Sequence, residues 1–197
     1  MKIKICGLRR LEDVGYANLL LPDYIGFVFA KSKRQVTVKE AAQMKAQLSP
    51  RIETVGVFVN EETEHIIDLL REGMIQVAQL HGQETRTTVQ RIKEATGRPV
   101  WKAIQVTHEQ DIMDWVGNAD YLLLDNGQGT GKTFDWGLLR EVKCPYFLAG
   151  GIQVDNIQEA MQTVDPYGID VSSGAETNGQ KDYEKMKYLV EQVRNFI

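Results

Sequence analysis

The chain has 197 residues, with 23 basic and 27 acidic side chains and a net charge of −4. That length suits one sizeable core rather than two domains, and the slightly acidic balance excludes a general nucleic-acid binder, which needs a basic face. No apolar run reaches the length of a membrane span, and two cysteines, Cys6 and Cys144, cannot build a disulfide framework.

Apolar runs rich in β-branched residues alternate with helical patterns from one end to the other. Strand 2–6 (KIKIC) precedes a helix over 10–20, and strand 24–29 (YIGFVF) one over 37–48. Strand 54–59 (TVGVFV) leads to a helix with Ile66, Leu69 and Leu70 on its buried face. Strand 75–80 (IQVAQL) leads to a helix over 85–96 capped by Thr85, and strand 100–105 (VWKAIQ) to one over 108–117. Strand 120–125 (DYLLLD) precedes a helix with Asp135 as N-cap and Leu138, Leu139 and Val142 as its apolar face. Strand 146–150 (YFLAG) leads to a helix in which Ile157, Ala160, Met161 and Val164 follow the i, i+3, i+4, i+7 rule. Strand 168–172 (GIDVS) leads to the last helix, capped by Asp182, with Met186, Leu189, Val190, Val193 and Ile197 inward.

Several of these strands are almost continuously apolar, which fits parallel strands buried on both faces. Eight strand–helix units with right-handed crossovers predict a compact α/β fold, a (β/α)8 TIM barrel, with residues 1–197 as a single domain. The length lies at the short end of the roughly 200 to 400 residues usual for that barrel. An open doubly wound sheet is the alternative. The N-terminus, MKIKICGL, lacks the apolar segment and cleavage site of a signal peptide, so a cytoplasmic setting is expected.

The stretch LLLDNGQGTGKTFDW, 122–136, ends in a Gly131-Lys132-Thr133 that imitates a phosphate-cradling P-loop. The imitation is incomplete. Asn126 stands where the first glycine belongs, Asp125 would repel a phosphate, and the helix begins only after Asp135. The glycines of 127–131 read instead as a cover over the barrel mouth.

In a barrel the chemistry sits where strands end. Those ends carry Cys6-Gly7, the Lys31–Arg34 loop, Asn60, His81-Gly82, Gln105, Asp125, Gly150-Gly151 and Ser172-Ser173-Gly174. The glycine and serine loops of units seven and eight expose backbone N–H groups where such barrels hold phosphate. Cys6 reads as a buried small residue or, if nearby positive charge lowers its pKa, as a nucleophile or base. Asp125 reads as a loop acid or a general acid. Arg34 is a surface charge or a fork for a carboxylate. His81 reads as a barrel wall on the substrate side rather than as a catalyst. Cys144, before strand seven, lies at the opposite end from Cys6, too far to bridge.

The segments KIKICGL, GFVFAKSKRQV, VGVFVN, QLHGQE, LLLDNGQGTGKTFDW, LAGGI and IDVSSGAE together resemble phosphoribosylanthranilate isomerase of tryptophan biosynthesis, over nearly the whole chain. The resemblance implies an Amadori rearrangement of N-(5-phosphoribosyl)anthranilate to the 1-amino-1-deoxyribulose 5-phosphate, with no cofactor and no metal. It implies Asp125 as acid and Cys6 as base. It implies Arg34 on the anthranilate carboxylate, Gly150, Gly151, Ser173 and Gly174 on the phosphate, and Asp170 lining the pocket. The expected partner is a small phosphorylated sugar, not nucleic acid or membrane; association with other tryptophan-pathway enzymes is compatible with it. Lys33 replaces a frequent proline before Arg34, and Asn178-Gly179 a frequent Pro-Gly. Rival readings are the analogous aminoaldose isomerase of histidine biosynthesis, a nucleotide binder, and a phosphate-ligand barrel without turnover.

Overall fold

The computed structural model describes residues 1–125, 136–139 and 142–196. Eight parallel strands follow one another around a closed ring: β1 (Lys2–Cys6), β2 (Tyr24–Val28), β3 (Glu53–Phe58), β4 (Val77–Leu80), β5 (Val100–Gln105), β6 (Tyr121–Asp125), β7 (Tyr146–Leu148) and β8 (Gly168–Val171). β8 pairs back onto β1, with Lys4 opposite Asp170, so the ring has no free edge and the open-sheet alternative falls. Helices α1 (Leu11–Leu20), α2 (Val38–Lys45), α3 (Thr63–Arg71), α4 (Arg86–Thr96), α5 (Glu109–Met113), α6 (Ile157–Thr163) and α7 (Tyr183–Asn195) connect the strands.

The period of two along each strand sorts the side chains into two cores. Ile3, Ile5, Ile25, Phe27 and Leu124 point outward and pack with Val14, Ala41, Ile66, Leu69, Val89 and Leu189 of the helices. Inside, Tyr24, Val55, Val77, Trp101, Leu123 and Phe147 fill the lower half of the barrel. Trp101 stacks on Phe147 at 4.4 Å, and Tyr24 meets the pair edge-on at 5.0 and 5.8 Å. Each such contact adds about 0.5–1.5 kcal/mol to the burial of the rings. The floor is therefore rigid and dry, and the upper half is left to polar side chains.

The caps predicted at Thr85 and Asp182 hold. The Thr85 side chain accepts from the Thr88 N–H and that of Asp182 from Lys185, while Thr37 and Glu40 cap each other at the start of α2. Differences arise at ends. β7 stops at Leu148, two residues short, because Gly150 and Gly151 take φ of 75° and 73°, outside the strand region. α5 ends at Met113 rather than 117. Of the apolar face predicted after β6, the described stretch Trp136–Leu139 is a 3-10 turn, in which Leu139 is buried but Leu138 is exposed. The sequence also concealed a small hairpin, β9 (Glu176–Thr177) with β10 (Gln180–Lys181), inserted between β8 and α7. Its turn, Asn178-Gly179, takes left-handed φ of 53° and 74°, as a two-residue hairpin of that composition requires. The readings of 127–131 as a cover, of Asn126 in a failed P-loop, and of Asp135 as a cap fall on 126–135, outside the described residues, as does the inward placing of Ile197.

Candidate active site

A cavity of about 270 Å³ opens at the C-terminal ends of the strands. Its wall brings together eight of the predicted site residues from six strand ends: Cys6, Arg34, His81, Asp125, Gly150, Gly151, Asp170 and Ser173. Ser172, Lys31 and Gln79 line it as well. Gly174 does not. It is buried behind the wall, where a Cβ would stand 2.0 Å from the Ile152 carbonyl oxygen, so its smallness serves loop packing. A wider depression of about 810 Å³ lies at the opposite end, around Lys2, Cys144 and Tyr167, and holds none of the predicted site residues. Cys6 and Cys144 are both free thiols, as their opposite placement demands.

The base of the cavity is a polar layer in which Lys4 and Gln79, not singled out from the sequence, join Asp170, His81 and Asp125. Lys4 is fully buried; its Nζ donates to Asp170 Oδ1 at 3.0 Å and to Gln79 Oε1 at 2.8 Å. Gln79 Nε2 stands 3.4 Å from His81 Nδ1, and His81 Nε2 stands 3.5 Å from Asp125 Oδ2. Polar contacts thus run from β8 through β1 and β4 to β6. The available signal was a lysine and a glutamine at inward positions of otherwise apolar strands, KIKIC and VAQL, where burial without partners is costly.

Cys6 ends β1 with its Sγ against Gly26 of β2; a Cβ on that glycine would come within 2.7 Å of the sulfur. The expected lowering of its pKa is not found. Burial pushes the thiol above its ordinary value, and the opposing pull of Lys4 and Lys181 does not compensate, partly because Asp170 adds a negative charge nearby. For Lys4 the balance is reversed. Burial alone would lower it, but Asp170 and Cys6 together hold the ammonium above its usual range. Lys4 and Asp170 form an ion pair at 3.0 Å beside the sulfur.

Arg34 reaches the cavity from the loop after β2. Gly7 makes room for it: a Cβ there would lie 2.6 Å from Arg34 Cδ, and Gly7 has a φ of 84°. The guanidinium is held by Glu176, Nε donating to Oε1 at 2.7 Å and Nη2 to Oε2 at 2.9 Å. Lys181 Nζ donates to the same carboxylate at 2.8 Å and to the Ser172 carbonyl at 2.9 Å. Burial would raise the Glu176 carboxyl, but the bonds to Arg34 and Lys181 prevail and hold it at about 2. A further buried ion pair, Lys102 with Glu84 at 3.0 Å, stiffens the loop after β4; Glu84 also accepts from the Asn60 and Gly82 N–H groups beside His81. Among the described residues no group of three or more His, Cys, Asp or Glu side chains is placed to hold a metal ion, and no helix is long and apolar enough to cross a membrane.

Closed eight-stranded architecture with reactive side chains confined to the C-terminal rim defines a TIM-barrel enzyme. Comparison with known proteins narrows that class. The family model of N-(5′-phosphoribosyl)anthranilate (PRA) isomerase matches residues 3–192. The N-(5′-phosphoribosyl)anthranilate isomerase of Thermoanaerobacter sp. (strain X514) is 46% identical over 202 residues, covering 98% of each chain. The crystal structure of phosphoribosyl anthranilate isomerase from Thermotoga maritima superposes with a TM-score of 0.88 at 35% identity over 100% of both chains. Another structure of that isomerase, in complex with reduced 1-(o-carboxyphenylamino)-1-deoxyribulose 5-phosphate, superposes with a TM-score of 0.87 at 34% identity, again over 100% of both chains. The chain belongs to the N-(5′-phosphoribosyl)anthranilate isomerase family, and its role is the aldose–ketose isomerisation of tryptophan biosynthesis.

Proposed function

We propose that the chain carries out the Amadori rearrangement with Asp125 as general acid and Cys6 as base. The observation that carries the proposal is that these two groups, ending β6 and β1, open onto one cavity. Asp125 delivers a proton to the furanose ring oxygen as the bond from that oxygen to C1′ breaks. The anthranilate nitrogen's electron pair forms the C=N bond of a cationic Schiff base. The cation acidifies the proton on C2′, which the Cys6 thiolate removes. The electrons of that C–H bond become the C1′–C2′ double bond of an enolamine as the π pair of the C=N bond returns to nitrogen. Return of a proton to C1′ and loss of the C2′ hydroxyl proton give the ketone.

The remaining side chains serve this chemistry by position. Lys4 is the counter-charge that makes a thiolate attainable at a buried site, and Asp170 keeps Lys4 charged and in place. His81 stands beside the acid. Arg34 takes the anthranilate carboxylate by its planar fork. Backbone N–H groups of Gly150, Gly151 and the Ser172–Ser173 turn take the phosphate; the positive φ of the two glycines turns the chain sharply there. A cytoplasmic setting and a small phosphorylated sugar as the molecule bound complete the proposal.

The test is the loss of phosphoribosylanthranilate fluorescence on adding purified protein, in the parent and in Cys6→Ala and Asp125→Asn. Turnover should be present in the parent and fall steeply in both variants. Undiminished turnover in either variant would remove that residue from the mechanism.

A further inference from the structure

The β9–β10 hairpin contributes no apolar side chain to either core, since its strand residues are Glu176, Thr177, Gln180 and Lys181. What it holds is charge. Glu176 and Lys181 are nonetheless buried at the side chain, 7% and 1% exposed, and Arg34 is 13% exposed. Burying three charged groups, two on a four-residue ladder and one facing it, is costly unless their geometry is used.

We propose that this hairpin is a positioning device for Arg34, and that Glu176 sets the enzyme's selectivity for a substrate bearing an aryl carboxylate. The proposal rests on the reading of Arg34 as the carboxylate partner. A guanidinium offers five N–H donors in one plane. Glu176 occupies the edge formed by Nε and Nη2. The two N–H groups of Nη1 and the outer one of Nη2 remain, and of these the outer Nη2 N–H and its Nη1 neighbour form the end-on fork that matches a second carboxylate. Glu176 therefore fixes the plane and the direction of the fork, while Gly7 leaves the space through which the Arg34 stem passes.

The hairpin is itself anchored on both sides. Arg9 donates from Nη2 to the Gly179 carbonyl at 2.6 Å and from Nη1 to the Lys33 carbonyl at 2.9 Å, clamping the hairpin turn to the loop that carries Arg34. Lys181 joins Glu176 to the Ser172 carbonyl, and Ser172 Oγ donates to the Cys6 carbonyl at 3.2 Å. The same hairpin thus spans the loop assigned to the phosphate and the arginine assigned to the carboxylate. It holds the two ends of the pocket at a fixed separation.

A charge role and a positioning role for Glu176 predict opposite results. Removing a negative charge beside Arg34 should tighten any anionic ligand if charge is all that matters. If position matters, the gain is lost because the fork is no longer aimed. The experiment measures inhibition by reduced 1-(o-carboxyphenylamino)-1-deoxyribulose 5-phosphate and by its analogue lacking the aryl carboxylate. The ratio of the two constants is the selectivity. In Glu176→Gln, which keeps the shape, and in Glu176→Asp, which keeps the charge but withdraws it by a methylene, selectivity should fall roughly tenfold, the worth of one charge-assisted hydrogen bond. The analogue without the carboxylate should bind nearly as in the parent. Tighter binding of the carboxylated inhibitor to Glu176→Gln, or full selectivity in Glu176→Asp, overturns the proposal; the Asp variant decides alone should the Gln variant fail to fold. Arg34→Met, measured in parallel, separates the two levels. If it keeps the parent's selectivity, the carboxylate reading of Arg34 fails. If it loses selectivity while both Glu176 variants keep theirs, only the hairpin's role fails.

Discussion

Lys4 and Asp170 face each other across the seam that closes the barrel: β1 and β8 pair with these two residues in register, and their side chains meet at 3.0 Å in the interior. The last strand of the chain is thereby tied to the first by a buried charge pair as well as by the backbone ladder. The same lysine flanks Cys6, so one contact serves both closure and chemistry.

Breaking that pair from one side leaves a charge without its partner in a low-dielectric site. Lys4→Met or Asp170→Asn should each cost about 3–5 kcal/mol in urea unfolding. The double variant should cost clearly less than the sum, because neither charge is then left behind. Additive losses would mean the two residues act separately.

Burial raises the Cys6 thiol, so the thiolate proposed as base becomes more abundant as pH increases. The acidic limb of kcat/KM should lie above the ordinary thiol value, with the rate still climbing through neutral pH. Lys4→Met should move that limb further up, since the cation nearest the thiolate is gone. A limb in the carboxylate range would assign the base elsewhere. Alkylation of Cys6 should inactivate and the product analogue should protect, whereas modification of Cys144, at the far end of the barrel, should matter little.

Asp125→Asn keeps the shape of the proposed acid and removes its transferable proton. Turnover should fall roughly 10²- to 10⁴-fold with binding of the reduced product analogue largely kept. A loss confined to KM would make Asp125 a binding group instead.

Glu176 is held at about 2 in the folded protein, below its ordinary value of about 4.3. Its ion pairs therefore stabilise the fold above the ordinary value, and that contribution is lost as pH falls toward about 2. The melting-temperature gap between the parent and Glu176→Gln should be widest near neutral pH and close between roughly pH 5 and pH 2. A gap that stays constant over that range would show that the carboxylate's charge is not what the fold uses.

The architecture was legible in the residues themselves. Apolar runs such as YIGFVF and DYLLLD can be buried only as inner parallel strands, and the helical patterns between them leave a closed ring of eight as the arrangement found. Strand ends fix which side chains reach the catalytic rim, so Cys6, Asp125, Arg34 and the glycine and serine loops could be named from order along the chain. The sequence also held one clue that went unread, since Asn178-Gly179 is the composition of a two-residue hairpin turn. What order along the chain cannot express is contact between residues distant in it. Glu176 lies 142 positions from Arg34, and Asp170 lies 166 from Lys4. Only closure of the barrel brings those charges together. The direction of the Cys6 shift was decided the same way: nearby positive charge was expected to lower the pKa, but closure buried the sulfur and brought up Asp170, and desolvation outweighed attraction.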